Sequence, residues 1–103
     1  MVEASIARAF DFLGKRWNGV ILASLGQHGP AGFSELKRMV GKITDSMLSD
    51  RLTELATVGL VNRSVSDTRP PTVSYELTEA GERLIPVLSQ LGMWAAENLP
   101  ALQ

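Results

Sequence analysis

The chain has 103 residues, 45% of them hydrophobic and 20% charged, with no cysteine, one histidine and a formal charge of −1. Such a length and apolar content predict one domain, residues 1–103, around one core, and exclude a disordered chain. The lack of cysteine excludes disulfides, thiolate metal sites and thiol redox chemistry, and no apolar run approaches the roughly 20 residues that span a bilayer, so a cytoplasmic protein without membrane contact is expected.

Ile6, Phe10 and Leu13 recur at i, i+4 and i+7, which is one face of a helix ending near Gly14. Trp17, Val20, Ile21 and Leu25 mark a second helix, closed by Gly26 and the loop His28-Gly29-Pro30. In the third, FSELKRMV, Ser34 is placed to cap, and Leu36, Met39 and Val40 supply a narrow buried face before Gly41. Thr44 caps a fourth helix over residues 45–58 by accepting a free backbone N–H, and Asp45 suits the positive helix end. Leu48, Leu52 and Leu55 face inward along it, and Gly59 stops it.

Val61, Arg63 and Val65 then alternate with Asn62 and Ser64, and Val73, Tyr75 and Leu77 with Ser74 and Glu76, so two strands flank Ser66–Thr72. Pro70-Pro71 rules out a tight two-residue turn and stiffens a longer polar loop. Thr78-Glu79 open a last helix towards Asn98, with an apolar band of Leu84, Val87, Leu88, Leu91, Trp94 and Ala95 that Ile85 and Met93 widen. The band exceeds what one core needs and argues for a partner helix, most simply in a homodimer, while Pro86 inside the run predicts a kink or a break.

Two short helices, a turn and a hairpin in this order are the layout of a winged helix-turn-helix, a mainly helical α+β fold. Residues 33–72 carry Lys37, Arg38, Lys42, Arg51, Arg63 and Arg69 against Glu35, Asp45, Asp50, Glu54 and Asp67, while residues 73–103 carry Arg83 against four glutamates. The acidic excess thus lies outside the motif, which matters because cationic side chains supply most non-specific nucleic-acid affinity.

Gly14-Lys15-Arg16-Trp17 with Val20-Ile21-Leu22, Phe33-Ser34-Glu35-Leu36, and Met47-Leu48 with Arg51-Leu52 and Glu54-Leu55 form an ordered set of motifs. Gly59-Leu60-Val61 with Arg63, Pro70-Pro71 with Val73 and Tyr75, and Leu77-Thr78-Glu79 complete it. In their order and spacing the chain resembles the HxlR-type winged-helix transcriptional regulators, related to the MarR type, of bacteria and archaea over essentially its whole length. The resemblance implies a sequence-specific, DNA-binding homodimer whose fourth helix enters the major groove. Its wing, about residues 66–72, would touch backbone or minor groove, and the terminal helices would form the dimer contact. Two features depart from the family pattern. Ala4 stands where many members carry a sensing cysteine, and Asp45, Ser46, Ser49 and Asp50 stand where Gln, Arg or Lys are common.

Helix geometry makes Ser46, Ser49, Asp50 and Thr53 the base-contact candidates, opposite the leucine stripe. Lys37, Arg38, Lys42 and Thr44, with Arg69 in the wing, are the backbone candidates. Arg63 shares a strand face with Val61 and Val65 and reads as a structural ion-pair partner. Ile6, Phe10, Leu88, Leu91 and Trp94 are the dimer candidates. Phe10, Trp17, Met93 and Trp94 could line a pocket for a small-molecule effector, against the blander reading that they are ordinary packing. With one histidine and no phosphate-cradling glycine pattern, no catalytic constellation, metal site or cofactor is expected. The acidic recognition helix leaves a second reading open, a winged-helix module for protein–protein contact with weak or no specific DNA binding.

Overall fold

A computed structural model describes residues 3–101; the ends of the expected 1–103 domain, residues 1–2 and 102–103, lie outside the described residues. Five helices and one hairpin follow in the order α1 (Ala4–Leu13), α2 (Asn18–His28), α3 (Phe33–Val40), α4 (Asp45–Thr57), β1 (Val61–Val65), β2 (Val73–Leu77) and α5 (Glu79–Asn98). This is the expected winged helix-turn-helix with flanking terminal helices. The strands pair antiparallel with Val61 opposite Leu77 and Val65 opposite Val73. A third segment joins this sheet, because Ala31 and Tyr75 exchange two backbone hydrogen bonds of 3.0 and 2.8 Å.

The core gathers Ile21, Leu22 and Leu25 of α2, Leu36 of α3, Ile43 of the turn, Leu48, Leu52 and Leu55 of α4, and Val61 of β1. On the helices these positions recur with the 3.6-residue period, while Ile43 and Val61 enter from the turn and the first strand. Val20 and Met39, expected inside, are exposed: the buried stripe of α2 is Asn18, Ile21, Leu22 and Leu25, which turns Val20 to the opposite side, and Met39 lies at the margin of the face that Leu36 buries. Ser34 does not cap α3. Gly32 is the N-cap residue, and the Glu35 carboxylate accepts its N–H at 3.0 Å, so the cap is made from inside the helix.

Gly26 does not close α2 either, which continues to His28. A Cβ at Gly26 would stand 2.7 Å from Ile85 Cδ1, so this glycine lets α5 approach α2. Trp17, just before α2, adopts a left-handed backbone with φ of 84°, a conformation that costs a bulky residue on the order of 1–3 kcal/mol. Its indole packs against the core on one side, and Arg16 stacks 4.5 Å from the ring centre.

Helix α5 runs unbroken through Pro86. Pro86 and Glu82, whose carbonyl loses its N–H partner, are both exposed residues, where water can replace that partner without a break. Leu84, Ile85 and Leu88 are half-buried, whereas Val87, Leu91, Met93 and Trp94 are exposed. No helix is long and apolar enough to cross a membrane among the described residues. The radius of gyration is 14.6 Å, above the ~13 Å of a compact chain of about 100 residues, because α1 and the second half of α5 bury no residue.

Candidate nucleic-acid interface

The helix-turn-helix is held at three points. Gly41 takes a φ of 102°, Ile43 inserts into the core, and Thr44 Oγ1 accepts the Met47 N–H at 3.1 Å to start α4. Lys37 Nζ lies 2.6 Å from Asp45 Oδ1, joining α3 to the first turn of α4. Both groups are well exposed, so the pair adds little stability. Its effect is positional: Asp45 is neutralised locally and Lys37, expected on phosphate, already has a partner. Arg38 and Lys42 are exposed and have no ion-pair partner among the described residues. Phe33, Ser34, Lys37, Arg38, Gly41 and Asp45 line an open cleft of about 500 Å³ beside them.

On α4, Leu48, Leu52 and Leu55 are inside and Ser46, Ser49, Asp50 and Thr53 are all exposed. Thr53 Oγ1 donates to the Ser49 carbonyl at 3.0 Å, and Thr57 Oγ1 donates to the Thr53 carbonyl at 2.9 Å. Asp50 has no ion-pair partner among the described residues, so it is not neutralised by a basic neighbour as Asp45 is.

The wing closes on one hydroxyl. Ser66 Oγ accepts the Thr72 N–H and the Thr72 hydroxyl, both at 2.9 Å, and lies 2.6 Å from Thr68 Oγ1. The Ser66 N–H donates to the Thr72 carbonyl at 2.8 Å. Arg69 stands exposed in this loop, before a cis peptide bond to Pro70. Arg63 corrects an expectation: it is exposed, with no ion pair among the described residues. It lines a groove of about 490 Å³ with Tyr75, its cross-strand partner, and Ser49, Thr53 and Thr57 of α4.

Sequence reasoning missed the polar group beneath this surface. Asn18 is fully buried, and its Nδ2 donates to the Phe12 carbonyl at 2.8 Å and to Glu54 Oε1 at 2.7 Å. The Glu54 carboxylate also pairs with Lys15, and Arg51 lies 3.8 Å away. The Lys15 ammonium and, after it, the Asn18 amide hold the Glu54 carboxyl below its usual range. This network ties the α1–α2 junction to α4. Its signal was present in the sequence, since Asn18 occupies an apolar-stripe position with Ile21, Leu22 and Leu25 at i+3, i+4 and i+7.

Ile6, Phe10, Leu91 and Trp94 are exposed at 54%, 54%, 45% and 53%, while Leu88 packs partly on the core. Four large apolar side chains on two helices are more than scattered surface residues require. The proposed effector set is split: Trp17 belongs to the core margin, whereas Phe10, Met93 and Trp94 point to the surface. The clefts beside α3, beneath the wing and between α2 and α5 are lined by none of the four.

The sequence matches the HxlR-like helix-turn-helix family over residues 12–103. It is 40% identical over 95 residues to the uncharacterized HTH-type transcriptional regulator YtcD of Bacillus subtilis (strain 168), covering 92% of this chain and 75% of that protein. The fold is similar to the reduced form of the transcriptional regulator YodB from B. subtilis, with a TM-score of 0.86, 36% identity and 100% of both chains covered. It is also similar to the quinone-bound YodB, with a TM-score of 0.78, 36% identity, and 92% of this chain and 99% of that one covered. These relatives are regulators of transcription and not enzymes. The chain therefore belongs to the HxlR-like helix-turn-helix family of DNA-binding transcriptional regulators.

Proposed function

We propose that this regulator binds operator DNA as a cytoplasmic homodimer, with α4 in the major groove and the Ser66–Thr72 wing on backbone or minor groove. One observation carries the reading. The outer face of α4 is largely polar and exposed, and Arg38, Lys42, Arg63 and Arg69, without ion-pair partners among the described residues, flank it on α3, the turn and the wing. In this arrangement Ser46, Ser49, Asp50 and Thr53 face base edges, while Arg38, Lys42, Thr44 and Arg69 meet phosphates, with Lys37 held back by Asp45. The exposed Ile6, Phe10, Leu91 and Trp94 then cover one another across a two-fold axis, with Leu88 behind them.

Regulation proceeds without thiol chemistry, since Ala4 offers no nucleophile. An effector site built from Phe10, Met93 and Trp94 needs the second copy to close it, with Trp17 contributing from the core margin.

Gel-shift titration of the chain's own upstream region tests the reading. Affinity is expected to fall steeply with salt, and Lys42→Ala or Arg69→Ala to weaken all sequences alike, each removing one contact per protomer and so lowering the log–log salt slope of the dimer by about 2. Ser49→Ala should instead alter preference at particular base pairs. Trp94→Glu should give a monomer in sedimentation and lose operator affinity. A flat salt dependence, with no duplex enriched from a random pool, would leave the protein–protein module as the better account.

A further inference from the structure

The chemistry of α4 says which base edges it can read, an inference that rests on the DNA-binding reading above. Guanine offers only acceptors to the major groove, whereas cytosine offers the N4 amine and adenine the N6 amine, so guanine readers need donors and amine readers need acceptors. The sequence of α4, DSMLSDRLTELAT, contains no Asn, Gln, Lys or His. Its one strong donor, Arg51, is drawn inward beside Glu54 at 3.8 Å, and its Nε is buried.

Ser46, Asp50, Thr53 and Thr57 lie at i, i+4, i+7 and i+11, one stripe of the exposed face. Asp50 is a carboxylate with four lone-pair sites and no ion-pair partner among the described residues. The Thr53 and Thr57 hydroxyls have a single proton each, and the helix carbonyls of Ser49 and Thr53 take them at 3.0 and 2.9 Å. Outward, these threonines present lone pairs and a methyl group. Of the α4 hydroxyls, only those of Ser46 and Ser49 keep a proton free to donate among the described residues.

We propose that the stripe Asp50–Thr53–Thr57 is an acceptor row that selects exocyclic amines, with Asp50 taking the N4–H of cytosine or the N6–H of adenine in each half-site. Asp50 is the discriminating group: near phosphates its charge repels, and an amine donor at the contacted step is what offsets this. The same charge rejects the O6 and N7 face of guanine. Specificity therefore includes a repulsive element as well as an attractive one.

Selection of the full chain on random duplexes, followed by base-analogue substitution in the enriched site, tests the proposal. Replacing one cytosine per half-site by 2-pyrimidinone, or one adenine by purine, removes the amine. At the contacted position this should weaken wild-type binding about tenfold or more. The same substitution should have less than twofold effect on Asp50→Ala, a cycle that cancels any intrinsic change in the duplex. Folding of the variant is checked by its thermal midpoint, which an exposed position should leave near that of the wild type.

Replacing guanine by 7-deazaguanine should cost less than removal of the amine, since only the serine hydroxyls of this face can donate to N7. An enriched site sensitive to 7-deazaguanine and indifferent to amine removal would overturn the acceptor row and leave DNA binding standing. So would an enriched site indifferent to both. No enriched site at all would overturn both readings.

Discussion

Asn18→Asp, an isosteric change, should destabilise the fold by about 3–5 kcal/mol at pH 7, the range for stranding a buried charge. The wild-type amide is fully buried and donates to two acceptors, the Phe12 carbonyl and Glu54 Oε1. A carboxylate there would face both oxygens with no proton to offer. The pH dependence should also reverse. In the wild type, Glu54 has a folded pKa below its ordinary value, so its contribution is present above the usual carboxylate range and lost as pH falls through the lowered value.

In the variant, burial and the neighbouring Glu54 raise the folded pKa of the introduced carboxyl above its unfolded value, about 3.9. Its penalty is absent below that value and grows as pH rises through the folded one. Urea midpoints at pH 5 and pH 7 decide the matter: the deficit relative to wild type should shrink on acidification. A variant as stable as wild type at pH 7 would show that Asn18 does not hold the α1–α2 junction to α4.

Gly81→Ala should be the other large effect, about 2–4 kcal/mol of destabilisation by overpacking. Propensity alone points the other way, since alanine in a helix is favoured over glycine by up to about 1 kcal/mol. Packing decides. A Cβ on Gly81 would stand 2.3 Å from the Leu60 carbonyl oxygen and 3.1 Å from Leu77 Cδ2. The backbone has little freedom to yield, because the Leu60 carbonyl accepts the Thr78 N–H at 3.0 Å and Thr78 Oγ1 accepts the Gly81 N–H at 3.1 Å. Thr78 Oγ1 also donates to the Gly59 carbonyl at 2.6 Å, so three elements meet at this cap.

Gly92→Ala is the internal control, since among the described residues nothing outside its own stretch of helix backbone lies within 4 Å of its added Cβ. It should stabilise α5 by about 0.5–1 kcal/mol. Thermal midpoints of the two variants should therefore move in opposite directions, and a shared direction would refute the packing argument.

The helices and the hairpin were legible because their signals are local: periodic leucines on α4, a threonine cap at Thr44 and another at Thr78, two alternating runs around Pro70-Pro71. What escaped depends on distant elements. Gly26 and Gly81 look like helix weaknesses in sequence, yet each admits a neighbour that only the tertiary fold supplies. Strand parity puts Arg63 on the face of Val61 and Val65, but parity implies burial only where something packs on the strand. On β1 only Val61, at the root of the wing, is buried.

The third helix starts at Phe33, so Ser34 falls inside its first turn, and the Glu35 carboxylate reaches back to the Gly32 N–H. At the surface, the positions of Ser46, Ser49, Asp50 and Thr53 followed from helix geometry, while the bonding state of Thr53 and the Lys37–Asp45 pair required coordinates.

Helix α1 has ten residues and buries none, and its contacts with the core are made by Phe12 and Leu13 at its end. An isolated helix under about 12–15 residues is marginal in water, so α1 opens by local fluctuation far more often than the molecule unfolds. Amide exchange in α1 and in α4 thus reports two different equilibria, one local and one global. Anything that covers Ile6 and Phe10 adds its free energy directly to the first and is read there as slowed exchange. The N-terminal helix is in this sense a gauge of association, graded along its length from the tethered Leu13 outward to Ala4.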